Sequence, residues 1–214
     1  MRNTVFDYIG NLDTLLAVCL GAVLATFGAL VAEIVQERRN RKRLERDAAR
    51  FFGDILTSFD RVLDFTFQSQ TVGDPWGRIT LRLFRMAQRE ASIYERNRER
   101  LFEIENMELR TRIHAHFLTE TFPLDAIIEH CERLHDIEAE LAQAKLPKAQ
   151  VKSLQAEKAE LISDLDGAVE AVRREHAKTP ELCAELEKIG RIKFDTAQIE
   201  NYETAVGLSN ESEA

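Results

Sequence analysis

From Thr14 to Ala32 the chain runs without a charge, and along that run the residues sort by size. A helix rises about 1.5 Å per residue and needs roughly 20 apolar residues to cross a hydrocarbon core, so the run is just long enough to span. At about 100° per residue, Thr14, Ala17, Val18, Gly21, Ala25, Gly28, Ala29 and Ala32 share one face. Leu12, Leu15, Leu16, Leu20, Val23, Phe27 and Leu30 share the other. A helix that only had to sit in lipid gains nothing from this sorting. Small residues let helices approach closely, which in lipid takes the place of the missing hydrophobic drive. The pattern therefore predicts a transmembrane helix with an oligomer interface at Ala17, Gly21, Ala25, Gly28, Ala29 and Ala32.

Helical periodicity continues beyond the apolar run, and strand alternation is sustained nowhere. Leu44, Ala48, Phe51, Phe52, Ile55, Leu56, Phe59, Val62, Leu63 and Phe67 recur at spacings of three and four, and the first proline is Pro75. The apolar helix is thus expected to extend as an amphipathic one until Gly73-Asp74-Pro75-Trp76-Gly77 breaks it, with Trp76 as a core plug. A second helical stretch starts near Ile79 and carries Leu83, Ala87, Tyr94, Leu101 and Ile104, with an interruption expected at Ser92, where Glu95 completes a capping-box pattern. A third runs from Met107, disturbed at Pro123, to about Lys145.

Leu146-Pro147 marks a turn, because proline suits the start of a new helix. Beyond it Val151, Leu154, Leu161, Leu165, Ala168 and Val172 form a heptad seam with Lys158 intruding, and Ile127, Cys131, Leu134 and Leu141 supply a matching stripe. These predict an antiparallel coiled-coil hairpin over 125–176. Thr179-Pro180 reads as the start of a helix ending at Gly190, and Asp195 to Val206 as a last short helix closed by Gly207. The expected fold is all-α. Its parts are a tail and membrane helix at 1–36, a basic juxtamembrane segment at 37–50, a cytoplasmic helical domain at 51–207 and a disordered acidic tail at 208–214.

Charge sets the orientation. Arg38, Arg39, Arg41, Lys42 and Arg43 follow the apolar run, against Arg2, Asp7 and Asp13 before it. This asymmetry places the C-terminal side in the cytoplasm, and the five cations beside anionic lipid headgroups. An uncharged-to-acidic start and the long apolar run argue against a cleaved signal peptide. The formal net charge of −8 argues against a general nucleic-acid binder, and three widely spaced cysteines form no disulfide framework. Only one polar line runs down the membrane helix, through Cys19, Thr26 and Glu33 at heptad spacing. In a ring of helices this line becomes the candidate pore lining, with Glu33 at the cytoplasmic mouth.

Two constellations carry candidate chemistry. Cys131, Glu132 and His135 combine a Glu-x-x-His spacing with an i, i+4 ligand pair, but no second Glu-x-x-His supports a di-metal site. The bland alternative is a coiled-coil flank, and no cofactor is expected. Arg110 and His116 fit the loose arginine–x(4–6)–histidine pattern of HEPN-type ribonucleases, where the pair handles a 2′-hydroxyl and the developing phosphate charge. His116 with Glu120 is equally a solvated pair on one helix face.

The layout, a single N-terminal membrane helix followed by a divergent HEPN-like helical domain, resembles the membrane accessory proteins of RNA-targeting CRISPR systems. Arg110 and His116 are its motif-level support. The resemblance implies an oligomer that perforates the inner membrane. The reading is a single-pass, N-out protein that self-associates and acts by assembly, as a membrane-disrupting defence effector. The alternatives are a HEPN-like ribonuclease and a non-enzymatic scaffold or sensor subunit. Hairpin 125–176 is the candidate surface for a protein partner.

Overall fold

The structure, a computed structural model, describes the backbone of residues 4–143 and 146–194 and the side chains of 15–143 and 146–194. The expected helix from Asp195 and the tail from Leu208 lie outside the described residues. The described chain is all-α: α1 (Thr4–Val72), α2 (Arg78–Asn97), a 3₁₀ segment (Arg98–Glu103), α3 (Met107–Leu141), α4 (Lys148–His176) and α5 (Thr179–Gly190). It divides into two compact units, 1–44 and 45–214.

In the first unit the described side chains of α1 are all exposed, including Leu15, Leu16, Leu20, Leu24, Phe27 and Leu30. Its most apolar window has a mean hydropathy of 2.5 and is 0% buried, so this one N-terminal helix is long and apolar enough to span a membrane.

The second unit is an up-and-down four-helix bundle. Ser58 of α1 bonds Glu90 of α2 at 3.1 Å, and Ser69 meets Thr80 at 3.0 Å, so these two helices run antiparallel. Gln88 to Asp125 and Arg85 to Glu132 place α3 antiparallel to α2. His116 beside Glu175, Arg133 beside Glu157 and Lys158 beside Glu138 turn α4 back along α3. The expected hairpin is therefore present within one chain, with Leu134, Ile137, Leu154 and Leu165 buried along it. Asp64 beside His176 and Arg50 beside the Gly190 carbonyl lay α4 and α5 along α1.

The core follows the predicted periodicity. Phe52, Leu56, Phe59, Leu63, Phe84, Tyr94, Ile113, Phe117, Leu124 and Ile127 are fully buried, and the Tyr94 and Phe117 rings stack at 3.9 Å. Burying such a ring removes 150–250 Å² from water in round terms, so each is worth about 3–5 kcal/mol against truncation to alanine. Trp76 is buried at the break between α1 and α2, where Asp74 Oδ1 accepts from the Trp76 amide at 3.1 Å. The core plug is borne out.

Three local expectations are corrected. Pro123 lies inside a continuous α3, where lateral packing of Leu124 and Ile127 outweighs the hydrogen bond its ring removes. Ser92 does not interrupt α2, because its hydroxyl bonds back to the Arg89 carbonyl at 2.7 Å rather than capping a new helix. The Leu101 and Ile104 stripe belongs to the 3₁₀ segment and its end, not to α2. α5 ends at Gly190 as expected, and Arg191 after it takes the left-handed conformation at φ 53°. Gly190 leaves room for the Arg50 stem, whose Nε donates to the Gly190 carbonyl at 2.8 Å.

Candidate functional site

In the first unit the small face of α1 carries no side-chain obstruction. A Cβ placed on Gly21 or Gly28 meets nothing within 4 Å, and Ala17, Ala25, Ala29 and Ala32 are exposed beside them. Cys19 and Glu33 are likewise exposed, while the Thr26 hydroxyl donates to the Ala22 carbonyl at 2.8 Å. That bond satisfies Thr26 without water, so the polar line does not by itself require a channel. Arg38, Arg39, Arg41, Lys42 and Arg43 are exposed on the same helix, Arg41 pairing with Glu37 at 2.7 Å.

In the second unit the sequence-predicted residues separate. Arg110 stands over the Phe102 ring at 5.6 Å, at a shallow pocket with Met107 and His114. His116 is 2% exposed and faces the bundle interior. Two carboxylates and a hydroxyl enclose it: Glu175 Oε1 lies 3.2 Å from Nδ1, Glu120 Oε2 3.1 Å from Nε2 and Thr179 Oγ1 3.2 Å from Nε2. The pair of His116 and Glu120 is thus a core contact rather than a solvated one. Burial opposes the charged ring, but Glu120 and Glu175 outweigh it and raise the His116 pKa; burial also raises that of Glu120.

Cys131, Glu132 and His135 also diverge. The Cys131 thiol is buried and burial pushes its pKa up to about 12. Glu132 turns outward to Arg85 at 2.5 Å. His135 Nε2 lies 2.8 Å from the Trp76 carbonyl, which can only accept, so that nitrogen carries the proton and ties α3 to the break.

A second histidine cluster was not anticipated from the sequence. His176, the last residue of α4, sits between two carboxylates of α1: Nδ1 is 2.5 Å from Asp60 Oδ1, and Nε2 is 2.9 Å from Asp64 Oδ1. Burial works against its charge, yet the bonds to Asp60 and Asp64 prevail and raise its pKa to about 10. The ring packs edge-on to Phe67 at 5.5 Å. Asp60 and Asp64 are spaced i, i+4, one helical face, which was a readable signal. Their histidine comes from 112 residues away and has no sequence signature.

Comparison with protein-family models, with curated proteins and with solved structures finds no match.

Proposed function

We propose that this chain is a single-pass bacterial inner-membrane protein, N-terminus outside, that self-associates through its membrane helix and acts by assembly rather than catalysis. The observation that carries this reading is the fully exposed apolar stretch of α1, whose small residues gather on one face with open space above Gly21 and Gly28. So much exposed leucine and phenylalanine has no place in water. The small-residue face offers a second copy the close approach that lipid-embedded helices use. Exposed cations at Arg38, Arg39, Arg41, Lys42 and Arg43 suit anionic headgroups on the cytoplasmic side.

A membrane-disrupting defence effector, with Cys19, Thr26 and Glu33 lining a pore, is the extended form of this reading. The ribonuclease alternative gains nothing from the geometry. His116 is enclosed by Glu120, Glu175 and Thr179, out of reach of an RNA 2′-hydroxyl, and Arg110 lies over Phe102 instead of beside it.

The mass of the detergent-extracted complex tests the reading. Gly21→Leu and Gly28→Leu should disperse the oligomer, whereas Leu16→Ala and Leu20→Ala should leave it intact. Equal dispersal from both faces, or a monomer in the unaltered protein, sinks assembly through this face. A reagent carrying fixed charge distinguishes anchor from pore, since it reaches Cys19 in intact membranes only if that residue meets water.

A further inference from the structure

We propose that an arginine ridge on the outer face of α2 is the docking site of the chain's own acidic segment, residues 195–214. At about 100° per residue, Arg78, Arg82, Arg85, Arg89 and Arg96 fall within about 60° of one line, opposite the face that buries Phe84, Ala87 and Ala91. All five are exposed, and they run about 27 Å along the helix. Only Glu90 and Glu95 oppose these five arginines within α2, which leaves the helix three positive charges in excess. The whole chain has a net charge of −8, so the ridge reverses its overall sign.

The bundle does not neutralise this ridge. Arg85 meets Glu132 at 2.5 Å, and Arg96 turns to the Ser92 hydroxyl at 2.8 Å. Arg89 Nε donates to the Arg85 carbonyl at 3.2 Å. Among the described residues, Arg78, Arg82 and Arg89 form no ion pair. Beside the ridge, α2 and α3 leave an open groove of about 990 Å³ with Leu81 and Ile128 in its lining. Its α3 side carries Glu132, already taken by Arg85, and Asp136. Three arginines without an ion pair thus face one such carboxylate, and the groove favours an anionic occupant with a few apolar side chains.

Residues 195–214 have that composition. Asp195, Glu200, Glu203, Glu211 and Glu213 bring carboxylates with no lysine or arginine, and Ile199, Tyr202 and Val206 recur at helical spacing among them. The segment departs from Phe194, whose amide is held by Glu187 Oε1 at 2.7 Å and whose ring packs on Gly53 of α1. Ser58, five residues beyond Gly53, bonds Glu90 beside Arg89 at 3.1 Å. The departure point therefore lies only about 8 Å from Arg89 along the bundle axis. Rounding α1 to reach α2 adds about 20 Å, two interaxial spacings. At about 3.3 Å per residue, roughly seven residues of extended chain cover that path, which leaves Glu203, Glu211 and Glu213 to lie along the ridge. Each exposed ion pair contributes little alone, but a tethered segment meets the ridge at high effective concentration, so several weak pairs act together. Docked there, the segment closes the ridge to other polyanions.

Distance measurement between two spin labels in the full-length protein in detergent tests this. The labels sit at Met86→Cys on α2 and Ser209→Cys in the segment, in a Cys19→Ser background whose remaining cysteines, Cys131 and Cys183, are buried. The expected result at low salt is one narrow distance distribution. It should broaden in about 1 M salt, where the screening length falls to about 3 Å, and in the combined variant Arg78→Gln, Arg82→Gln, Arg89→Gln. These three positions are exposed, so the variant should keep the unfolding temperature of the bundle. A broad distribution in the protein with its arginines intact, or a narrow one that the arginine variant leaves unchanged, overturns the proposal. A narrow distribution that vanishes on dilution with unlabelled protein puts the segment on a neighbouring copy and overturns docking within one chain. A labelled single-stranded RNA held by the unaltered protein and released by the arginine variant gives the ridge to nucleic acid instead.

Discussion

The three cysteines occupy opposite environments, and the difference has a measurable consequence. Cys131 and Cys183 are buried, and burial pushes both thiols up to about 12, whereas Cys19 is exposed on α1. The thiolate is the nucleophile, so Cys131 and Cys183 should resist alkylation at neutral pH until the bundle unfolds. Mass spectrometry after a timed pulse of iodoacetamide checks this, and rapid modification of either in the native protein contradicts their burial. The linked pH effect follows in sign. A folded pKa raised above the unfolded value near 9 means the fold favours the protonated thiol, so this contribution is intact below pH 9 and fades as pH rises toward 12. Gly53 is a second decisive position. A Cβ there would lie only 2.0 Å from Cζ of the Phe194 ring, which packs over the bare backbone of α1. Gly53→Ala should displace Phe194 and cost about 1–3 kcal/mol, seen as a lower denaturation midpoint. An unchanged midpoint would mean that Phe194 contributes nothing to the packing. At the same scale, His116→Ala should destabilise the bundle by about 1–3 kcal/mol, because Glu120 loses its buried partner, while Arg110→Ala on the surface should be near neutral.

Among the elements, the hairpin of α3 and α4 is the clearest case of pattern turned into contact. Its outer half is apolar at Leu134, Ile137 and Leu154, with ion pairs on the flanks: Arg133 to Glu157 at 2.7 Å and Lys158 to Glu138 at 2.6 Å. Lys158, an intruder in the heptad seam, is explained by Glu138, which holds its ammonium at the edge while the stem covers the seam. Exposed pairs of this kind contribute little, about 0–1 kcal/mol each, so the apolar seam holds the hairpin and the charges set its register. Cysteines placed at 138 and 158 in a Cys19→Ser background should be bridged within one chain by a short bis-maleimide. Bridging found only between chains would replace the hairpin with an intermolecular coiled coil. α5 adds a different device. Arg112 of α3 reaches both Glu181, at 2.7 Å, and Glu185, and the shared guanidinium fixes α5 against α3.

For the molecule as a whole, two surfaces with opposite requirements lie on one helix. The first unit keeps its apolar residues outside, and the second encloses its own. The proposed assembly through the small-residue face and the folding of the bundle are therefore separable. Gly28→Leu should change the complex mass and leave the unfolding temperature of the bundle alone, whereas His116→Ala should do the reverse. If either substitution moves both readouts, the two properties are coupled and the separation fails.

The sequence by itself determined the elements and the core. A period of 3.6 written in Ala48, Phe52, Leu56, Phe59 and Leu63 leaves a helix no other face to bury, and Gly73 to Gly77 leaves it no way to continue. The sorting of small from large residues in the apolar stretch of α1 is equally legible, because it depends on one helix alone. Pro123 and Ser92 read wrongly for the opposite reason: their local preference is weak beside the packing of whole helices. Only the tertiary structure decided the histidines. Whether His116 faces water or carboxylates, and whether Asp60 and Asp64 meet a third group, depends on how α1, α3 and α4 are laid together. A constellation assembled from residues 112 positions apart leaves no spacing to read, since each helix reports its own period and nothing of its neighbour's register.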